Sequence, residues 1–371
     1  MPVFFCFFAN IHLTQFLNFT MMRLKINILI FLVFLFSGSG KCQIIVNAYA
    51  SVVSISGNWI QITNVDEQFD SFDPGDKIVL IQSQGAGISD SSNNQTFGFV
   101  DSIHNAGHYE LCIIDSVFEI SGLPVSLKLQ GAPHWNFNPS GIIQVVSFPS
   151  LGFNGTYITS APITCKSFNG NTGGVLCFEV QGNLILQHEL TVSGKGFRGG
   201  LKSLLGNMGN CDPSLYAGIH DDLRAEKGEG IIQLPVSLNS GRSPAINGGG
   251  GGVINNGGGG GGSNYTAGGR GGPGYIHKCP NNDGFGLGGQ DLQWNITPDR
   301  VFMGGGGGGG HDNNGFGTKG GNGGGIIILK CDTIFNQGNC ISVVRQANGY
   351  GAASDSDDGK GGGGAGGTII L

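Results

Sequence analysis

The chain has 371 residues, 71 of them glycine, and only 12% are charged, against ordinary shares of roughly 7% glycine and 25% charged residues. Long helices are disfavoured, since each helical glycine costs about 1 kcal/mol relative to alanine, and collagen is excluded because the glycines form solid runs and do not recur at every third position. A net charge of −6 argues against a nucleic-acid binder, and a hydrophobic content of 39% exceeds that of a plain disordered linker.

Residues 1–42 read as an upstream extension and a signal peptide. Arg23 and Lys25 form a positive n-region, Ile26 to Phe36 an apolar h-region, and Ser37 to Gly40 a small-residue cleavage zone, placing the signal near residues 21–40. The apolar run is shorter than the ~20 residues of a membrane span, so export is expected and membrane association only through export or surface attachment. Residues 1–20 read as an early start assignment, with Met21 or Met22 the true start; a second hydrophobic segment is the alternative. Cys42 raises lipidation, against which Lys41 is a poor neighbour. An exported chain makes its cysteines disulfide candidates: Cys112, Cys165, Cys177, Cys211, Cys279, Cys331 and Cys340, with Cys42 undecided. The pair singled out is Cys211–Cys279, because both lie in polar, loop-like stretches; the other pairings stay open.

Residues 43–165 carry β-branched runs about every ten residues: SVVSI, WIQITNV, KIVLIQ, FGFVDSI, ELCIIDSV, VSLKLQ and GIIQVVSF. Turn signals such as Asp73-Pro-Gly-Asp76 separate them, which predicts an all-β sandwich or barrel. Residues 166–371 alternate glycine tracts with short aliphatic strands. One unit runs from Gly173 to Gly194, a second from Gly324 to Gly349, and a third starts at Gly366 and stops at Leu371. Each unit is a glycine pair, a strand, a turn and a second strand. Stacked repeats of this size predict a glycine-rich parallel β-helix, or solenoid, cut short at its C-terminus. The tracts Gly248–Gly252, Gly257–Gly262, Gly304–Gly310 and Gly361–Gly364 are then polyglycine helices packed by interchain hydrogen bonds, or flexible loops. A mostly disordered spacer is a third reading; it predicts no protease-resistant core beyond about residue 165.

The segments Phe72-Asp-Pro-Gly-Asp-Lys-Ile-Val-Leu-Ile-Gln82, Asn169-Gly-Asn-Thr-Gly-Gly-Val175, Ser193-Gly-Lys-Gly-Phe-Arg-Gly-Gly200, Glu226-Lys-Gly-Glu-Gly-Ile231 and Asn322-Gly-Gly-Gly-Ile-Ile-Ile-Leu329 together resemble the glycine-rich N-terminal region of large Bacteroidetes cell-surface proteins. Many of these are gliding-motility-associated or type IX secretion substrates. The resemblance implies a secreted or surface location and a longer product ending in a sorting domain.

Chemistry is sparse. Gly194-Lys-Gly-Phe-Arg-Gly199 fits G-x-G-x-x-G and precedes Leu201 to Leu205, but Gly206 and Gly209 would break a helix there, and no acid-tipped second strand follows. Asp355, Asp357 and Asp358 are too few and wrongly spaced for calcium and read as a solvated acidic turn. Asp221, Asp222, Glu226 and Glu229, beside His220, would suit a glycosidase pair, but interleaved Arg224 and Lys227 mark a solvated surface loop. The histidines lack zinc spacing. Trp135, Phe137 and Tyr216 are candidate contact aromatics, and Asn94, Asn154, Asn264 and Asn295 lie in glycosylation sequons. The expected function is an exported structural or adhesive surface protein without catalysis, cofactor or metal, whose partner is an extracellular polysaccharide or another surface protein. The alternative is a secreted polysaccharide-active enzyme on a β-helix.

Overall fold

The computed structural model describes residues 43–152, 154–206, 212–275, 284–295, 297–338, 341–342 and 358–371. The signal segment, Cys211, Cys279, Asp355 and Asp357 lie outside them. After β1 (Ile44–Ile45), the apolar runs of the first half become β2 (Tyr49–Ser56), β3 (Trp59–Asp66), β4 (Lys77–Gln82), a small pair β5 (Gly87–Ile88) and β6 (Val100–Ser102), then β7 (Tyr109–Ile120), β8 (Leu123–Leu129) and β9 (Ile143–Ser147). Six of them close into a barrel in the order β2-β3-β8-β7-β4-β9. Of the two all-β alternatives in the sequence, the chain adopts the barrel. Alternation fixes the inner face: Ile60 and Ile62 of β3 are buried, while Trp59, Gln61 and Thr63 are exposed.

β4 and β9 break that alternation because both of their faces are covered. Ile78, Leu80, Ile143 and Val145 point into the barrel core. Val79, Ile81 and Val146 belong to a second apolar cluster that also holds Val175, Phe178 and Ile327. Asn47, fully buried, crosses the same seam: its Nδ2 donates to the carbonyls of Ser147 (2.8 Å) and Cys177 (2.6 Å). Lys77 of β4 pairs with Glu179 at 2.7 Å.

The remaining strands come in threes: β10 (Ser150–Leu151), β11 (Thr156–Ile158) and β12 (Ile163–Thr164); β13 (Val175–Val180), β14 (Asn183–Leu186) and β15 (Leu190–Thr191); β16 (Ile326–Lys330), β17 (Thr333–Asn336) and β18 (Ile341–Ser342). A last strand, β19 (Thr368–Ile370), follows. They pair in parallel as β10-β13-β16-β19, β11-β14-β17 and β1-β12-β15-β18, so the chain visits three ladders in the same order on successive passes. The register is strict, with Val175 opposite Ile326 and Glu179 opposite Lys330, although the whole stretch 192–325 lies between the paired strands. Each repeat has a third strand that the two-strand reading of the sequence lacked, and the pass at 150–164 precedes the first glycine pair. Among the described residues there is no α-helix, only 3-10 turns at Val236–Leu238 and Gln293–Asn295. No helix among them is long and apolar enough to cross a membrane.

The glycine tracts run as extended threads whose hydrogen bonds step by three residues, the period of a polyproline II-type helix. Gly304, Gly307 and Gly310 donate to Gly324, Gly321 and Thr318; Gly305, Gly308 and His311 donate to Ser263, Gly260 and Gly257; Gly306 and Gly309 donate to Glu229 and Glu226. Their carbonyls accept from Phe197, Gly200 and Ser203, from Ala365 and Gly362, and from Gly249 and Gly252. The 304–311 thread is thus ringed by six others: 197–203, 226–229, 248–252, 257–263, 359–365 and 318–324. Each of these also bonds to the next around the ring, as in Glu226 N–H to Leu201, Gly228 to Gly249, Gly260 to Gly250, Gly262 to Gly363, Gly321 to Gly362 and Gly320 to Gly200. Leu201 to Leu205, a short helix in the dinucleotide-motif reading, is not helical, and its first three residues belong to one of these threads, so G-x-G-x-x-G leads into no helix N-terminus.

His311 ends the central thread fully buried, its Nδ1 accepting the N–H of Asn256 at 3.2 Å. Burial pushes its pKa below the usual 6.5. The unfolded chain therefore binds a proton on acidification that the folded chain refuses, so stability is full above about pH 6.5 and falls as pH drops below it. The expected slope from this residue is at most about 1.4 kcal/mol per pH unit. Urea titrations between pH 7.5 and 5 should show a shallower fall for His311→Asn, whose side-chain oxygen can accept the same N–H without titrating; equal slopes would refute the assignment.

Candidate functional site

The acidic segment 220–230 is threaded into the glycine array, and that decides where its side chains go. Glu226 N–H bonds to the Leu201 carbonyl and Glu229 N–H to that of Arg198. With a period of three, Glu226 and Glu229 project on one side and Lys227 on another. The glutamates line a groove of about 520 Å³ together with Gln84, Arg198, Gln233 and Asn239.

Both carboxylates are engaged by neighbours. Glu229 Oε1 accepts from Arg198 Nη2 at 3.0 Å, and its Oε2 accepts from Arg198 Nε and from the Arg198 backbone N–H, each at 3.0 Å. That bidentate grip raises the Arg198 pKa still further. Glu226 accepts from the Leu201 N–H at 3.1 Å and from Asn239 Nδ2 at 3.3 Å. His220 Nδ1 stands 3.9 Å from Glu226, while its Nε2 donates to the Lys202 carbonyl at 2.8 Å. Asp221 pairs with Arg224 and accepts the Leu223 N–H. The structure thus brings Glu226 and Glu229 into one groove and ties both down.

Lys227 corrects the reading of this segment as a solvated loop. It is buried, and its Nζ donates to the carbonyls of Tyr216 (2.7 Å), Gly241 (3.0 Å) and Ser243 (2.7 Å), 4.8 Å from the Phe97 ring centroid. Burial, aided by the Arg224 charge, pushes its pKa well below the usual 10.5. Asp358 is a second correction: it is buried, not a solvated turn, because its carboxylate accepts the N–H groups of Asn313, Asn314 and Phe316. Neither residue carries a sequence signal of burial, since each is buried by a distant loop or thread folding over it.

Trp135 stacks on His108 with ring centroids 4.0 Å apart, Phe137 is buried in the barrel core, and Tyr216 lies under the Arg242 guanidinium. None of the three is a free aromatic platform. Trp294, Tyr265 and Phe316, which the sequence reading passed over, are well exposed. Asn264 is buried, donating to the Gly366 carbonyl at 3.0 Å, and cannot carry a glycan in this fold. Cys112, Cys165, Cys177 and Cys331 are free thiols. Burial pushes Cys112 and Cys165 up to about 12, leaving them protonated and unreactive at neutral pH. Among the described residues no cluster of His, Cys, Asp and Glu is arranged to hold a metal ion.

No protein-family model and no curated protein sequence matches the chain. Among solved structures it is similar to the Gp54 tailspike of Acinetobacter baumannii bacteriophage AP22, in complex with A. baumannii capsular saccharide, at 15% identity and a TM-score of 0.18 over 39% of this chain. The chain spans 22% of that tailspike, and a likeness at this level assigns no function.

Proposed function

We propose that the chain is an exported cell-surface protein with a structural or adhesive role and no catalytic activity, of the kind found in the glycine-rich regions of Bacteroidetes surface proteins. In this reading the three parallel ladders are turns of a three-faced β-helix, and the glycine array is an insertion that stiffens it. The supporting observation is the enclosure of the 304–311 thread by six hydrogen-bonded threads, which turns a side-chain-free stretch into a rigid body. The signal-like segment near residues 21–40 supports export. The groove beside Arg198 and Glu229 mixes polar and apolar lining, and its two carboxylates are hydrogen-bonded, which suits a hydroxyl-rich ligand such as an extracellular polysaccharide.

Hydrogen exchange on the chain, with antibody labelling of intact source cells, tests this. The Gly304–Gly310 amides are expected to persist for hours and the antigen to be reachable from outside. Exchange at free-peptide rates, or antigen confined to the cell interior, would overturn the proposal. The polysaccharide-active alternative is favoured by the groove holding both Glu226 and Glu229. It would take precedence if the chain released sugars from a polysaccharide and Glu226→Gln abolished that release.

A further inference from the structure

The ring around the 304–311 thread is complete, but among the described residues the ring around its neighbour 257–263 is not. That thread is bonded to five others. Gly308 and His311 of the central thread donate to Gly260 and Gly257; Gly260 and Ser263 donate to Gly250 and Asn247; Gly286 and Gly289 donate to Gly258 and Gly261; Gly258 and Gly261 donate to Gly272 and Gly269; Gly259 and Gly262 donate to Lys360 and Gly363. The sixth direction lies between threads 268–272 and 359–365, where no thread runs among the described residues.

Backbone groups on three sides face that direction. In the complete ring, the N–H and C=O of one residue reach two adjacent threads: Gly307 donates to 318–324 and accepts from 197–203, and these two are bonded to each other. Gly269 and Gly272 give their carbonyls to 257–263, so their N–H groups must face one of the two positions beside it. One of these, 284–289, already receives Gly268 and Gly271; the other is the vacant position. By the same reasoning the N–H groups of Lys360 and Gly363, and the carbonyls of Gly259 and Gly262, face it too. None of these six groups has a hydrogen-bond partner among the described residues.

The space is real. A Cβ at Gly269, Gly272 or Gly363 would meet nothing within 4 Å, whereas one at most glycines inside the array would collide with a neighbouring carbonyl. A groove of about 550 Å³ runs past Tyr265, Gly269 and Gly363, and one of about 330 Å³ past Gly272, Tyr275 and Lys360. Both lie along the same thread.

We infer that this vacant position is a docking groove for one extended, glycine-rich polypeptide thread from another chain, held by backbone hydrogen bonds. The occupant would take four N–H donors and two carbonyl acceptors, each pair spaced three residues, or about 9 Å, apart. That interval is the repeat of a threefold polypeptide helix, and the five filled positions around 257–263 are all occupied by such threads. Residues of the occupant that face the floor must be glycine, for the reason they are glycine in the ring. Two turns, about six residues, are enough to span the paired groups at Gly269 and Gly272, Lys360 and Gly363, and Gly259 and Gly262. The inference rests on this geometry alone and holds wherever the protein resides.

The test uses the full chain and a peptide of six glycines flanked by lysines. At millimolar peptide, exchange of the Gly269, Gly272 and Gly363 amides is expected to slow at least tenfold. A matching peptide of six alanines should leave it unchanged. Gly363→Leu and, on the opposite wall, Gly269→Leu each place a side chain in open space that fills the groove, and either should abolish the slowing while the Gly304–Gly310 amides stay protected. No slowing with the glycine peptide, equal slowing with the alanine peptide, or slowing by cellohexaose alone would overturn the inference; the last result would assign the groove to a saccharide.

Discussion

Gly308→Ala is expected to lower the unfolding free energy by about 3 kcal/mol or more, a large share of a typical domain's total. The new methyl would land inside the van der Waals shell of the Gly250 carbonyl oxygen, which also accepts the Gly260 N–H at 2.8 Å. Either the methyl pushes two threads apart or that hydrogen bond breaks. Overpacking of a dense interior costs about 1–3 kcal/mol, and each buried backbone group left without a partner adds about 1–3 kcal/mol. Because the central thread bonds to six others, it cannot move aside for one of them without straining the rest. Gly363→Ala is the control, since its Cβ has open space. There the expected change is between zero and about 1 kcal/mol of stabilisation, from the reduced freedom of the unfolded chain. Urea midpoints for the two variants, with unchanged m-values, should separate clearly; equal midpoints would contradict the packed arrangement.

Lys227→Met is expected to cost about 1–3 kcal/mol, with the damage concentrated in residues 213–243. The carbonyls of Tyr216 and Gly241 keep second donors, the N–H groups of Ser243 and Gly251, but among the described residues the Ser243 carbonyl accepts from Lys227 alone. The substitution leaves that acceptor buried and unpaired and removes the cation from the Phe97 face. Relief of the ammonium's desolvation offsets part of the loss. Limited proteolysis should cut the variant first within 213–243. A variant as stable and as resistant as the parent would mean that the ammonium is only accommodated there and holds nothing together.

Much of the barrel was legible in the sequence because its strands obey local rules. Six of the seven β-branched runs are barrel strands; the seventh, FGFVDSI, contributes only the short β6, with Phe97 buried beneath the Lys227 ammonium, Phe99 exposed and neither in the barrel core. The repeats at Gly173 and Gly324 were legible from their glycine pairs and aliphatic runs. The pass at 150–164 was not, because Ser150–Leu151 and Ile163–Thr164 are two-residue strands fixed by the next pass and not by their own pattern. The candidate groove was legible only as a list of acids. What decides its chemistry is that Arg198, some thirty residues upstream, is placed opposite Glu229 by the antiparallel pairing of two threads. Cysteine bonding was the least readable: an exported chain suggests disulfides, but Cys165 and Cys177 fill an apolar cluster as small hydrophobic side chains.

The side-chain-free interior of the glycine array has a thermal consequence. Most of the heat-capacity rise on unfolding comes from wetting apolar surface, while exposing polar backbone lowers it. A body held by backbone hydrogen bonds and nearly devoid of hydrocarbon should therefore unfold with far less than the usual ~12–15 cal/mol/K per residue. Its stability curve is correspondingly flat, and cooling, which weakens apolar cores, takes little from it. Within one chain, the barrel keeps the curved temperature response of an ordinary core, and the array beside it supplies a part whose strength barely changes between cold and warm surroundings.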